Sequence, residues 1–295
     1  KSGKETILTF KVLNKEKYLG GVFAVGNNIA SFCKKVYIIT TIGDSLEEYR
    51  FIKKNLKKNV VLNFYKKKQS NTIKKSRLIN KYDNQKQIGL YYLDDFGLDS
   101  REENILVKKI KQNRNKINSI IVSDFGHGII TDKIFKTLKN LKKTISVNSQ
   151  INSSNIGFHS LNKFKKADYL TLNFFELKHE TRDHKSDIKE LAKKLCHKLR
   201  LKKIFVTNGH QGSILYDMRK KAIVSAPGFT QIIKDRIGSG DSYFAFVSLA
   251  SFVNASNIET IFLASLSSYF NLQDYANKSS IDPVVFKKTI LYSLK

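Results

Sequence analysis

The stretch Asp235-Arg236-Ile237-Gly238-Ser239-Gly240-Asp241 runs directly into Ser242-Tyr243-Phe244-Ala245-Phe246-Val247-Ser248-Leu249-Ala250. Its two glycines let the backbone turn tightly and approach a ligand closely. The amides that follow open a helix N-terminus, where backbone N–H groups and the helix dipole favour an anion such as phosphate. Asp241 stands at that mouth. The residues admit two readings. In one, the carboxylate takes the proton of an attacking hydroxyl while the amides hold a transferring phosphoryl group. In the other, it is an acidic residue opening a helix after a glycine turn. The apolar run from Tyr243 to Val253, interrupted by Ser248 and Ser251, is too short to cross a bilayer and suits a buried helix.

Outward from this stretch the chain alternates short apolar runs with amphipathic ones. Strands are expected at Val36 to Thr41, Val60 to Phe64, Ser119 to Ser123, Ile145 to Val147, Tyr169 to Leu172 and Ile204 to Thr207. Helices are expected at Val22 to Cys33, Leu46 to Leu56, Arg101 to Asn115, Asp132 to Leu141, Phe175 to Thr181 and Ile188 to Leu199. A hairpin spans Ser213 to Ser225, and three helices finish the chain. Such alternation indicates an α/β layer structure with a mostly parallel central sheet, with ligands beyond the carboxyl ends of the strands. Thr72 to Tyr82 and Gln87 to Leu93 break the alternation. They read as a separate β-hairpin turning at Asp83-Asn84. A further short strand is expected at Ile7 to Leu13. No repeat or low-complexity linker divides the chain, so residues 1–295 read as one domain with an appended lid at 72–93, joined by 7–13.

Composition narrows the class. With 41% apolar residues the chain is globular rather than disordered. Cys33 and Cys196 lie far apart without metal-ligand spacing, which points to a reducing, cytoplasmic setting and away from a disulfide or zinc framework. No signal peptide or membrane span is expected. The formal net charge of +28 invites a nucleic-acid reading. Its lysines are spread from end to end, however, and arginine, which reads phosphate and guanine bidentately, is scarce. Together with abundant Asn and Ile, this fits a compositional bias, and no nucleic-acid or membrane partner is expected.

The segment from Asp235 to Asp241 resembles the D-T-x-G-A-G-D signature of the PfkB, or ribokinase-like, carbohydrate kinases, with Arg236 for threonine and Ser239 for alanine. Further segments match in the right order. Gly20-Gly21 followed by Asn28-Ile29-Ala30-Ser31 resembles the amino-terminal sugar-binding segment of D-glycero-D-manno-heptose 7-phosphate kinases. Ser123-Asp124-Phe125-Gly126-His127-Gly128 resembles their S-D-Y-x-K-G. Asn173-Phe174-Phe175-Glu176 matches an N-x-x-E element, and Thr207-Asn208-Gly209-His210-Gln211-Gly212 a nucleotide-binding T-x-G-x-x-G turn. Taken singly these are also ordinary: a loop, a capped helix start, a strand-to-strand turn.

The resemblance implies a ribokinase-like three-layer α/β/α sandwich, with a small β lid over the sugar and homodimerisation through that lid. It implies ATP-dependent phosphorylation of a sugar or sugar-phosphate hydroxyl. Asp241 would be the base, and Gly238, Ser239 and Gly240 would supply the anion-binding turn. Asp235, Thr207, Gly209 and Gly212 would serve the nucleotide, Asn173 and Glu176 the Mg²⁺ of the ATP, and Gly20, Gly21, Asn28 and Asp124 the sugar. Three departures bear on this. Ala24 replaces a sugar-binding asparagine. Asn148-Ser149-Gln150 replaces D-P-K, so a lysine charge is gone. The family's first core strand is not found before Ile7, which implies a trimmed chain, with an upstream nucleotidyltransferase domain as in some fused heptose kinases. The alternative is a catalytically impaired module that still binds nucleotide or sugar.

Overall fold

The computed structural model describes residues 9–93, 96–151, 156, 160–229 and 232–293. In chain order these form α1 (Val22–Ala30), β1 (Val36–Ile42), α2 (Leu46–Asn55), β2 (Val60–Lys66), β3 (Lys74–Ile79), β4 (Lys86–Tyr92), α3 (Ser100–Gln112), β5 (Ser119–Asp124), α4 (Asp132–Asn140) and β6 (Thr144–Ser149). There follow β7 (Tyr169–Asn173), α5 (Phe174–Thr181), α6 (Ile188–Leu199), β8 (Lys203–Thr207), β9 (Ser213–Asp217), β10 (Ala222–Ala226), α7 (Ser239–Phe252), α8 (Asn257–Leu272) and α9 (Pro283–Ser293).

The main sheet has the order β10-β9-β8-β7-β6-β5. Strands β5 to β8 are parallel, while β9 and β10 continue it as an antiparallel hairpin. Period-two side-chain direction makes the layers. Ile120, Val122, Leu170, Leu172, Ile204 and Val206 enter one core with α3, α4, α5 and α6. Their neighbours Tyr169, Phe205 and Leu215 enter the other, with α1, α7 and α8. Helix α7 is buried nearly all round, as its unbroken apolar run requires.

Strands β1 and β2 form a separate parallel pair. The same layers flank it, since α3 packs against both of its strands and α1 packs against β1 and α7. A cleft of about 3030 Å³ is lined by β1 and β5 residues, including Ile38, Thr40, Ile120 and Val122, and extends to the lid and to the carboxyl ends of the main strands. That exceeds the usual few hundred to ~1,000 Å³ of a ligand pocket, because the gap between the two sheets is part of it.

The lid forms as an antiparallel β3–β4 hairpin with a register shift at Leu78/Ile79. Two sequence expectations are corrected here. The turn is not the two-residue Asp83-Asn84. It spans 80–85, closed by Asn80 N to Gln85 O (2.9 Å) and Asn84 N to Asn80 O (3.0 Å), because the bulge sets the strands in a register that a two-residue loop does not join. Residues 9–13 carry no strand and pair with no sheet edge; Phe10, Val12 and Leu13 are exposed. Ile7 and Leu8 lie outside the described residues.

Candidate active site

The site lies where the parallel strands end. Asp124 closes β5, Asn148 and Ser149 close β6 with Gln150 just beyond, Asn173 closes β7 and Thr207 closes β8. Helix α7 faces these ends with its N-terminus.

Gly238 caps α7 at φ 87°, in the left-handed region. A β-carbon there would lie 1.9 Å from Asn277 Oδ1, so the position needs glycine on two counts. Ser239 Oγ donates to Arg236 O (2.9 Å), and Ser268 Oγ donates to Ser239 O (3.0 Å), which ties the turn to α8. Among the described residues, the amides of Gly240 and Asp241 find no acceptor, which leaves open N–H groups of the kind that favour an anion at a helix start.

Asp241 is buried beside these amides. Burial pushes its carboxyl up to about 7, against the opposing pull of a hydrogen bond from Gln150 and the charge of Lys75 on the lid. Gln150 Nε2 donates to Asp241 Oδ1 at 3.2 Å and to Asn148 Oδ1 at 3.1 Å, and Asn148 Nδ2 donates to Thr171 O at 3.0 Å. The segment whose lysine is missing therefore supplies an amide that orients the carboxylate. Gln150 N also donates to the backbone carbonyl of Asp124 (2.9 Å) and Ile151 N to Glu176 Oε1 (3.1 Å), so this stretch touches the Asp241 and Glu176 carboxylates and the main chain at the end of β5.

Asn173 and Glu176 form a capping box at the start of α5: Glu176 N donates to Asn173 Oδ1 (2.8 Å) and Asn173 N to Glu176 Oε2 (2.7 Å). Both line the cleft. Burial lifts Glu176 to about 7, although the Asn173 and Ile151 amides favour its charged form. Among the described residues no cation pairs with the buried Glu176 carboxylate, and carboxylate and amide oxygens of this kind suit a hydrated hard cation held through water.

Asp124 Oδ1 accepts from Gly126 N (3.0 Å), and Lys163 Nζ lies 2.6 Å from its Oδ2, a cation supplied 39 residues downstream. Thr207, Gly209 and Gly212 border the cleft, with Gly209 at φ 56° and Gly212 at φ 86°. A β-carbon at Gly212 would lie 2.0 Å from Ala226 O. Gly20 and Gly21 also line the cleft, and a β-carbon on Gly21 would press the Phe125 ring at 3.1 Å.

Two of the expected site residues give side-chain oxygens to the protein itself. Asn28 does not line the large cleft. Its Oδ1 accepts from Ile281 N (3.1 Å), fastening α1 to the segment before α9. Ala24 borders a separate small polar pocket with Asn27 and Asn277. Asp235 spends its carboxylate on protein: Oδ1 accepts from Ile237 N (3.1 Å) and Lys86 Nζ (2.5 Å), and Oδ2 from Ala276 N (3.2 Å).

Sequence reasoning missed Lys75, Lys86, Gln150 and Lys163. For the lid, a signal was present: Lys75 and Arg77 alternate on one face of β3. Burial first, then Arg77, lowers the pKa of Lys75, while Asp241 opposes this.

No helix among the described residues is long and apolar enough to cross a membrane. Nor do they group three or more His, Cys, Asp or Glu side chains as a metal cage.

The bifunctional protein HldE of Aliarcobacter butzleri is 26% identical over 255 residues, covering 84% of this chain and 52% of that protein. That of Campylobacter jejuni subsp. doylei is 26% identical over 262 residues, 88% of this chain and 53% of the relative. The chain thus spans about half the length of the curated relatives it matches. Two solved structures share the fold. Phosphofructokinase-2 from Escherichia coli in complex with potassium has a TM-score of 0.73 at 14% identity, covering 93% of this chain and 87% of the other. Ribokinase from Arabidopsis thaliana complexed with ribose and ATP has 0.72 at 18%, covering 95% and 90%. The family model for "pfkB family carbohydrate kinase" matches residues 5–282, so the chain belongs to the pfkB family of carbohydrate kinases and is a phosphotransferase.

Proposed function

We propose that the chain transfers the γ-phosphoryl group of Mg-ATP to a hydroxyl of a sugar phosphate, in the manner of a heptose kinase, with Asp241 as general base. The observation that supports this best is a buried carboxylate near pKa 7 beside the open amides of the α7 start. Asp241 accepts the hydroxyl proton. The freed oxygen forms the new P–O bond as the bond to the ADP oxygen breaks. The Gly240 and Asp241 amides meet the charge on the transferring group. Asn173 and Glu176 would hold Mg²⁺ through water, and the ion would neutralise phosphate charge. Lys75 places positive charge near Asp241, and Arg77 lines the same cleft from the lid, where an anionic sugar would be held. The Thr207–Gly212 turn faces the nucleotide, and the lid excludes water.

The same proposal includes a cytoplasmic setting, for which the free Cys33 and Cys196 speak, and a homodimer through the lid, whose Ile79, Tyr82, Leu90 and Tyr92 are exposed. It also includes a core strand upstream of Lys1 in the gap between β1 and β5, with a nucleotidyltransferase domain before it. The reading frame upstream of Lys1 tests that part, and a frame encoding neither would reject it.

ADP release with Mg-ATP over a panel of free and phosphorylated sugars, including heptose 7-phosphate, tests the function. Substrate-dependent release, abolished by chelating Mg²⁺ and strongest with a phosphorylated sugar, is expected. Silence across the panel with nucleotide binding retained would replace the proposal with a non-catalytic nucleotide-binding module.

Because the base works deprotonated, kcat/KM should rise with pH and level off above about 7. Gln150→Leu removes a donor that favours the charged carboxylate, so the rising limb should move up by about 1 pH unit, with little loss on the alkaline plateau. A pH–rate profile checks this, and a limb that stays in place or moves down would contradict the role of Gln150.

A further inference from the structure

Asp235 is where the lid and the anion-binding turn meet. Its side chain is 6% exposed, and the one cation within ion-pair distance among the described residues is Lys86. That lysine belongs to β4 of the lid and lies 149 residues away in sequence. Its own side chain is 37% exposed, so the pair joins a buried carboxylate to an ammonium that reaches in from outside. Burial disfavours the Asp235 charge, and the Lys86 contact with the Ile237 and Ala276 amides more than offsets this, holding the carboxyl below its ordinary range.

The oxygen that meets Lys86 is also the acceptor for Ile237 N, the first amide of the turn that leads to Gly238 and Gly240. The other oxygen holds Ala276, next to Asn277, whose side chain packs on Gly238. Neutralising or rotating this carboxylate would therefore loosen both sides of the turn at once.

We propose that Lys86 is a positioning residue, the lid-borne counter-ion of Asp235, so that the Ile237–Gly240 turn reaches its working geometry only when the lid is seated. The inference rests on the phosphoryl-transfer function for its catalytic consequence, but its structural half does not. It links lid closure to the phosphate site through one ion pair, without requiring Lys86 to touch either substrate.

Lys86→Ala and Lys86→Arg in the whole chain test it by amide hydrogen exchange, which needs no substrate. In Lys86→Ala, exchange across 235–241 should accelerate about tenfold or more while β5 to β8 stay protected. Ammonium chloride should restore protection, whereas sodium chloride at equal ionic strength should not. Lys86→Arg should keep most of it. With a turned-over sugar, kcat should fall about tenfold or more and KM for ATP change little, again with recovery in ammonium. Unchanged exchange across 235–241 would overturn the proposal, as would a loss that ammonium leaves unrepaired while the arginine variant is equally loose. Asp241→Asn keeps the two ideas apart: if it retains turnover the base assignment fails, while the exchange comparison still decides the role of Lys86.

Discussion

Asp241→Asn is expected to lose turnover by about 10²-fold or more while binding ATP nearly as before, and to melt at a higher temperature than the wild type at pH 8. The two effects have one cause. An unfolded aspartate ionises near 3.8, whereas burial holds Asp241 in the fold at about 7. Folding above pH 4 must therefore take up a proton or bury a charge. Stability tied to this group is fully present below pH 3.8 and is lost as pH rises through 7, levelling off beyond it. The asparagine has no charge to bury. Its advantage should be absent near pH 4 and reach the order of a few kcal/mol at pH 8. Thermal melts across this range, beside ADP release, test both halves. A variant that melts lower at pH 8 would mean that Gln150 and Lys75 hold the carboxylate comfortably ionised. Near-normal turnover would remove it as the base.

Gly238→Ala should disable the same centre from the other side. The residue sits at φ 87° and ψ −12°, where an alanine is strained by roughly 1–2 kcal/mol. Its β-carbon would also fall 1.9 Å from Asn277 Oδ1 and 3.1 Å from Asn271 Nδ2. Asn277 is the end of a side chain and can swing away, but the dihedral strain stays. The turn then shifts, and displacement of its amides by even 1 Å costs on the order of 10²-fold in rate. Pairing Gly238→Ala with Asn277→Ala separates the contributions. Partial recovery is expected, since only the collision is relieved. Full recovery would show that the left-handed backbone was not needed, and full activity in the single variant would show that the turn does not hold the transferring group.

The layers were legible because their cause is local. Ser119–Asp124, Thr144–Ser149, Tyr169–Asn173 and Lys203–Thr207 alternate side chains between two cores, and a run of apolar residues of that length has few other ways to leave water. The Asp235–Asp241 turn was legible for a similar reason, since two glycines before an acidic residue and a buried helix restrict the backbone on their own. Asn173 and Glu176 were picked out by their resemblance to an N-x-x-E element, and the first turn of α5 brings the two side chains together as a capping box.

What escaped the sequence are pairings between distant residues. Gln150 meets Asp241 across 91 positions and Lys86 meets Asp235 across 149. Among 53 lysines and arginines, no local pattern marks the two cations that serve Asp235 and Asp124. Asn28 shows the converse, a motif residue whose side-chain oxygen is taken up by Ile281 N where α1 meets the segment before α9. The sequence by itself determined the order of elements, the two-sided sheet and the glycine turn that opens α7, because these depend on periodicity and on backbone freedom at a few neighbouring residues. Only the tertiary structure decided which amide orients Asp241, which lysine answers the Asp235 and Asp124 carboxylates and how the β3–β4 hairpin reaches the turn, because a charge taken out of water is stabilised by whatever group lies nearest in space, however far away in the chain.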